Sequence, residues 1–242
     1  MAWIVQFEPK AGQFFLYGDY GDLKKRLETY RSTEMPAEER ALFKYEVTYR
    51  RWVFEKFTKE IGVAHPMGPV ALTPIKDHEW PSAYQAERPI KSLGALISLA
   101  DDALVVDERL KDLIQGLEPG IHQFRPITMQ QPSSDPVPGS YFILVIGRFL
   151  DSFLPEATEQ HLWHEVQIEI EGKRVNSGSY SCRAFGAEAF AKLAFSRQVI
   201  GAAHLWRERR VIGSNFYISD TLRDAITQAK LPMPPHFRVK EV

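Results

Sequence analysis

The stretch LVVDERLKDLIQGLEPGIHQFRPITM, Leu104 to Met129, decides most of what can be read about the fold. Ala103 to Val106 read as a short strand. Asp107 then takes a helix N-cap position, where its carboxylate can accept backbone N–H groups that lack partners inside the helix. Leu110, Leu113, Ile114 and Leu117 recur at helical spacing and make one apolar face. Pro119-Gly120 stops the helix and turns the chain. Beyond it, Ile121, Gln123, Arg125 and Ile127 alternate against His122, Phe124 and Met129, which is a strand pattern. Pro126 predicts an edge position, because proline gives no N–H to a ladder. His122, just after the turn, is expected to bond a backbone carbonyl, and Phe124 to pack.

The same order recurs in NFYISDTLRDAITQAKLPM, Asn215 to Met233: strand, Ser219 cap, helix, proline stop. At an offset of 112, Val106 falls on Ile218, Asp107 on Ser219, Leu110 on Leu222, Lys111 on Arg223, Asp112 on Asp224 and Ile114 on Ile226. Two readings stand side by side. One is a remote internal duplication. The other is that strand and capped-helix units look alike because the same physics builds them.

Outward from these units, Ala2 to Phe7 read as an opening strand. A short helix is predicted from Asp22, with Asp19 or Asp22 as its cap. Pro36 to Gly62 read as one long helix, with Glu38 and Glu39 near its positive end and Gly62 as its stop. Five prolines between His65 and Pro89 mark an irregular connection. A boundary there would leave residues 1–64 as a strand and helical segment and 65–242 as the main domain, unless the two form one continuous domain. Farther on, Ser140 to Leu150 suggest a buried strand. Val166, Ile168 and Ile170 alternate with Glu165, Gln167 and Glu169 in a half-buried one. Gly172 to Ser181 read as a polar turn region, Gly186 to Phe195 as helical, and His204 to Val211 as a strand. The expected fold is α+β: a mainly antiparallel sheet flanked by helices, with an N-terminal helical extension.

With 242 residues, 44% of them apolar and 25% charged, the chain has an ordinary globular composition. Its net charge of −1 argues against a duplex-DNA binder, which needs a basic face. Cys182 is the only cysteine, which excludes an intramolecular disulfide and a cysteine-based zinc site. The opening residues lack the basic start and apolar run of a secretory signal, and no apolar run approaches a membrane span. A cytoplasmic protein is expected, with no membrane or nucleic-acid partner.

The search for chemistry yields little. His161 and His164 lie three apart beside Glu165, in the wrong order and spacing for the His-Glu-x-x-His zinc pattern. With His204 they define the enzyme alternative, a metal-dependent hydrolase. Cys182 sits near Arg183, whose charge could lower a thiol pKa, but no base accompanies it. There is no Gly-x-Ser-x-Gly elbow, P-loop or dinucleotide fingerprint. Asp101-Asp102 and Asp77-His78-Glu79 fit helix caps or solvated loops better than cation sites. Trp206 beside Arg207, Arg209 and Arg210, together with Trp80 and Tyr84, has the composition of an interface hot spot. The competing reading puts Trp206 in the core and the arginines on the outer face of a strand.

The Leu104–Met129 stretch, with its Glu-Pro-Gly-x-His-Gln-Phe-x-Pro run, resembles a bacterial immunity-protein family of polymorphic toxin systems. It is the family numbered eleven in that series, formerly a domain of unknown function. FYISDTLRDAITQAKL, preceded by HLWR, resembles the family's closing strand, cap and helix. The resemblance implies a non-enzymatic protein without a cofactor that binds a cognate toxin, encoded by an adjacent gene, and blocks it. It gives Asp107, Pro119, Gly120, His122, Phe124 and Ser219 structural roles. Partner contacts are left to Trp80, Tyr84, Trp206, Arg207, Arg209 and Arg210. A subunit of some other complex is a third reading.

Overall fold

A computed structural model describes residues 1–7, 16–43, 45–57, 73–99, 103–170, 173–212 and 215–242. The fold is α+β, and antiparallel pairs predominate. The strands form four sheets. A six-stranded sheet runs in the order β2 (Leu16–Gly18), β3 (Ala83–Ala86), β6 (Gln123–Gln130), β7 (Tyr141–Val145), β5 (Leu104–Asp107), β4 (Leu96–Ser98). A five-stranded sheet runs β15 (His236–Arg238), β1 (Ala2–Val5), β14 (Phe216–Ser219), β12 (Leu205–Glu208), β8 (Phe149–Leu150). A three-stranded sheet has the order β13 (Val211–Ile212), β10 (Lys173–Cys182), β9 (Trp163–Ile170). A two-stranded piece joins β11 (Ala194–Phe195) to β16 (Lys240–Glu241).

Strand alternation sorts the side chains into three cores. On the six-stranded sheet, Val105, Ile143 and Val145 face a core with the N-terminal helices. These are α1 (Tyr20–Thr29) and α3 (Glu46–Phe57), whereas α2 (Ala37–Leu42), between them in sequence, buries no residue of its own. Leu104, Val106 and Leu144 face the opposite way, into a central core. That core also takes Val5, Leu205, Phe216 and Ile218 from the five-stranded sheet. Helices α4 (Glu108–Leu117) and α7 (Asp220–Gln228) complete it with Leu110, Ile114, Leu222 and Ile226. The other face of the five-stranded sheet gives Ala2, Ile4, Trp206 and Tyr217 to a third core, with Phe190 of α5 (Gly186–Phe190) and Ile200 of α6 (Arg197–Ile200). This period of two is what a sheet covered on both faces requires.

Both predicted caps are present. Asp107 accepts the Leu110 N–H at 2.8 Å, and Ser219 accepts the Leu222 N–H at 3.2 Å. Gly120 turns the chain with φ +74°, a conformation that favours glycine. Phe124 is half-buried against the central core.

Other expectations change. Asp19 precedes α1 without capping it; its carboxylate instead takes the Ser82 backbone N–H at 3.1 Å and the Ser82 hydroxyl. The single helix predicted from Pro36 is two helices, because Phe43 leaves helical geometry (φ −109°, ψ 69°) and is fully buried. Its predicted stop, Gly62, lies outside the described residues, as do Asp101-Asp102 and Gly172. β6 is an interior strand. Pro126 lies opposite Phe142 on one side, while pairing with β3 on the other begins only at Thr128, so its missing N–H interrupts no ladder there. The buried strand read from Ser140 to Leu150 is interrupted, with β7 and β8 in different sheets. The predicted polar turn before Ser181 is most of strand β10. Only Gly186–Phe190 of the next segment is helical.

The N-terminal stretch is tied into the rest at both ends. β1 is an interior strand of the five-stranded sheet, between β14 and β15. At α3, the fully buried Lys56 ammonium donates to Glu79 at 2.5 Å and lies 3.8 Å from the Trp52 ring centre. The Tyr49 hydroxyl donates to the other Glu79 oxygen at 3.1 Å. Burial pulls the Lys56 pKa down against the opposing pull of Glu79.

Candidate functional site

The Glu-Pro-Gly-x-His run builds a buried polar junction. α4 ends at Leu117, and the next residue, Glu118, turns its carboxylate inward. Pro119-Gly120 then brings His122 back, four residues on from Glu118. His122 Nε2–H donates to Glu118 Oε2 at 2.9 Å, and His122 Nδ1 accepts the Gly147 backbone N–H at 3.2 Å. Those two bonds assign the neutral Nε2–H tautomer. The histidine thus meets a carboxylate and an N–H, not the carbonyl expected from sequence. Glu118 Oε2 also accepts the Leu205 N–H of β12 at 2.8 Å, and Arg148 Nε lies 2.9 Å from Glu118 Oε1. The junction therefore joins the first strand–helix unit to the five-stranded sheet. Burial pushes the Glu118 carboxyl up, but His122 and the backbone donors at 204 and 205 outweigh it, and its pKa lies below the usual range. A Cβ on Gly147 would meet the Ile121 carbonyl oxygen at 1.9 Å, so only glycine fits there.

A second buried carboxylate, Glu208, organises the third core. Its oxygens accept from the Ser152 N–H (2.8 Å), the Phe153 N–H (3.0 Å), Trp206 Nε1 (3.0 Å) and the Ser152 hydroxyl. Burial raises its pKa despite these donors. Sequence reading singled out neither Glu118 nor Glu208. The signal available for Glu118 was its i,i+4 spacing to His122 across a Pro-Gly turn.

The predicted contact residues separate. Trp206 is fully buried and stacks on Tyr217 with ring centres 5.7 Å apart. Tyr84 is fully buried in the N-terminal core, and Trp80 and Arg207 are buried as well. These four side chains offer no surface in this conformation. Arg209 and Arg210 are exposed. Arg210 donates to the Tyr180 hydroxyl at 2.7 Å and the Gly178 carbonyl at 2.6 Å, and its guanidinium covers the Tyr180 ring. Arg209 lies 3.9 Å from Asp151.

The histidines do not converge. His204 Nδ1 lies 2.8 Å from the hydroxyl of Ser219, the α7 cap, while His161 is exposed beside Glu159. Among the described residues, no group of three His, Cys, Asp or Glu side chains could hold a metal ion. Burial raises the Cys182 thiol to about 12, which removes thiolate reactivity at neutral pH. An apolar void of about 10 Å³ lies between α4, α7 and the two large sheets, at most the size of one water.

Six of the exposed large apolar residues lie on two parts of the fold, while Met1, Ile121, Val199 and Val242 lie elsewhere. Leu42, Tyr45 and Val47 lie where α2 meets α3. Val175, Phe185 and Ile212 lie on or just beyond the three-stranded sheet, with Arg183, Arg209 and Arg210 also exposed there. β9 and β10 form a two-stranded ribbon, and β13 joins it only at Tyr180 and Ser181.

The polar clusters described so far tie strands and helices of an α+β framework together, while the ribbon stands open at the surface. The chain belongs to the immunity protein family Imm11, whose family model matches residues 78–238, about two thirds of its length. The match runs from the Asp77–Glu79 turn through β15 and includes the whole ribbon. No curated protein matches the chain.

Proposed function

We propose that the protein neutralises a cognate toxin by binding it directly, without catalysis and without a cofactor. Membership of the immunity protein family carries this reading. The ribbon sheet supports it, because that is the open apolar and cationic surface inside the matched span. Phe185, 71% exposed, supplies an aromatic anchor, and Arg209 and Arg210 supply charged hydrogen-bond donors. A standard interface of about 1,600 Å² in total would cover the ribbon and its root. The toxin is assigned to an adjacent gene and the encounter to the cytoplasm. No helix among the described residues is long and apolar enough to cross a membrane.

The test is co-expression with the protein encoded next to this one. Restored growth together with a stoichiometric complex is the expected result. A toxic neighbour that is neither bound nor relieved would overturn the reading.

A further inference from the structure

The sheet edges of this protein are very unequal. Among the described residues, the edge strands β2, β4, β8, β13 and β15 are two or three residues long. Short edges are one way folded proteins avoid unwanted strand pairing. β9 is an edge strand of eight residues, WHEVQIEI, without proline and with unbroken register on its own side. The neighbouring open edge of β10 is blunted. The register shift lies there, where Asn176 to Tyr180 span four positions against two on β9. Gly178 within it has φ +72°, and its carbonyl is taken by Arg210.

The direction of the β9 backbone groups follows from the ladder. Tyr180 gives its N–H to Arg210 O at 2.6 Å, away from β9. At the Glu165–Tyr180 pair the backbone groups of both residues therefore point outward. Leu162 O, facing the other way, accepts from Arg183. Alternation then places the N–H and C=O groups of Glu165, Gln167 and Glu169 along the free edge, and the same residues make a row with two carboxylates, Glu165 accepting from Asn176 Nδ2 at 2.8 Å and Glu169 opposite Arg174 of β10.

We infer that the outer edge of β9 takes up an extended segment of the toxin as an added strand, one whose alternate residues are Lys or Arg. This rests on the toxin-binding reading above. Main-chain bonding to Glu165, Gln167 and Glu169 gives the register, and the two carboxylates select basic side chains in the incoming strand. A second copy of this chain fits poorly. An antiparallel β9–β9 pair centred on Gln167 sets Glu165 opposite Glu169, and like charges directly opposed are unfavourable. β13, Val211–Ile212 just after Arg209 and Arg210, is too short to serve as the partner strand.

The experiment is titration calorimetry of the protein against the neighbour-encoded toxin, comparing wild type, Gln167→Pro and Glu165→Lys/Glu169→Lys. Gln167→Pro removes one outward N–H and leaves the β9–β10 ladder whole. It is expected to weaken binding roughly tenfold with an unchanged melting temperature. The double reversal is expected to weaken binding at least ~10-fold, with the loss shrinking as salt is raised. Wild-type binding that both folded variants reproduce would overturn the edge inference and leave toxin binding intact. No binding by the wild type takes down both readings. A dimer in sedimentation that Gln167→Pro dissociates would replace the toxin strand with a second copy.

Discussion

The two strand–cap–helix units are built alike and end differently. Their caps share one conformation, φ −75° and ψ 168° at Asp107 against φ −77° and ψ 164° at Ser219. Each strand also has an antiparallel neighbour in the same register. Leu96 of β4 opposes Val106, and Leu205 of β12 opposes Ile218. Ala95 O takes the Asp107 N–H, as His204 O takes the Ser219 N–H. Even the adjacent N–H groups are covered: that of Ala95 by Pro232 O of the second unit, and those of its counterpart His204 and of Leu205 by the Glu118 carboxylate of the first. The match thus extends to a neighbouring strand in each unit, β4 and β12, that the sequence offset does not reach, which generic capping does not supply. The difference lies in what meets that N–H. In one unit it is a neutral carbonyl, and in the other a buried carboxylate with its own histidine. Each unit stabilises the other, and one of the two crossings depends on charge.

The sharpest way to break this comparison is to delete the carboxylate. Glu118→Ala leaves His122 Nε2–H and the Leu205 N–H buried without acceptors, while Arg148, about a third exposed, can return to water. A loss of about 3 kcal/mol in urea melts is expected. Lys230, at the equivalent position by the offset of 112, is exposed, and Lys230→Ala should change stability by less than about 0.5 kcal/mol. Equal losses at the two positions would remove the distinction between the crossings.

The charge of Glu118 should also show in acid. Its folded pKa is depressed. It therefore contributes stability that is present above the unfolded carboxyl value near ~4.3 and is lost as pH falls through the lower folded value. Wild type should lose stability in that window, and Glu118→Ala should show a flatter profile there. Parallel profiles would show that the junction does not hold a carboxylate. Glu208 runs the other way: its raised folded pKa contributes below the unfolded value and is lost as pH rises through the folded one. Glu208→Gln should accordingly flatten the profile on the neutral side of that window.

The caps come next in size. Asp107→Ala should cost about 1 kcal/mol, the usual worth of an N-cap. Ser219→Ala should cost slightly more, about 1.5 kcal/mol, because it also strips the partner from His204 Nδ1. The reverse ranking in denaturant melts would show that the His204 contact adds nothing.

Much of this framework was legible in local chemistry. Asp107 and Ser219 stand immediately before helical apolar periods, and Pro119-Gly120 closes one of them, so four residues mark out two helices. What local chemistry could not reach was long-range. Phe43 breaks a helical pattern only because a core formed by distant segments takes its side chain. Trp206, Tyr84 and Trp80 have the composition of a hot spot, but composition is the same in a core. β10 is not legible because KRVNSGSYSC has no apolar alternation, and a ribbon strand that is largely solvated needs none. One strand of the ribbon, β9, is legible in its alternation, and the other is hidden because it is largely solvated.

The smallest expected effect tests how each helix is closed. In the second unit Lys230 adopts φ +53°, which lets Leu231 N–H reach Ile226 O at 3.1 Å and buries Leu231 in the central core. In the first unit Glu118 stays at φ −134°, since its side chain must turn inward, and the left-handed turn is deferred to Gly120. A lysine in that region bears steric strain that glycine avoids, although glycine is more costly to order from the unfolded chain. Lys230→Gly should therefore stabilise the protein by about 0.5 kcal/mol, while Gly120→Ala should destabilise it by about 1 kcal/mol. The opposite signs follow from where each helix places its left-handed residue. Two substitutions of the same sign in thermal melts would mean that the units close in the same way after all.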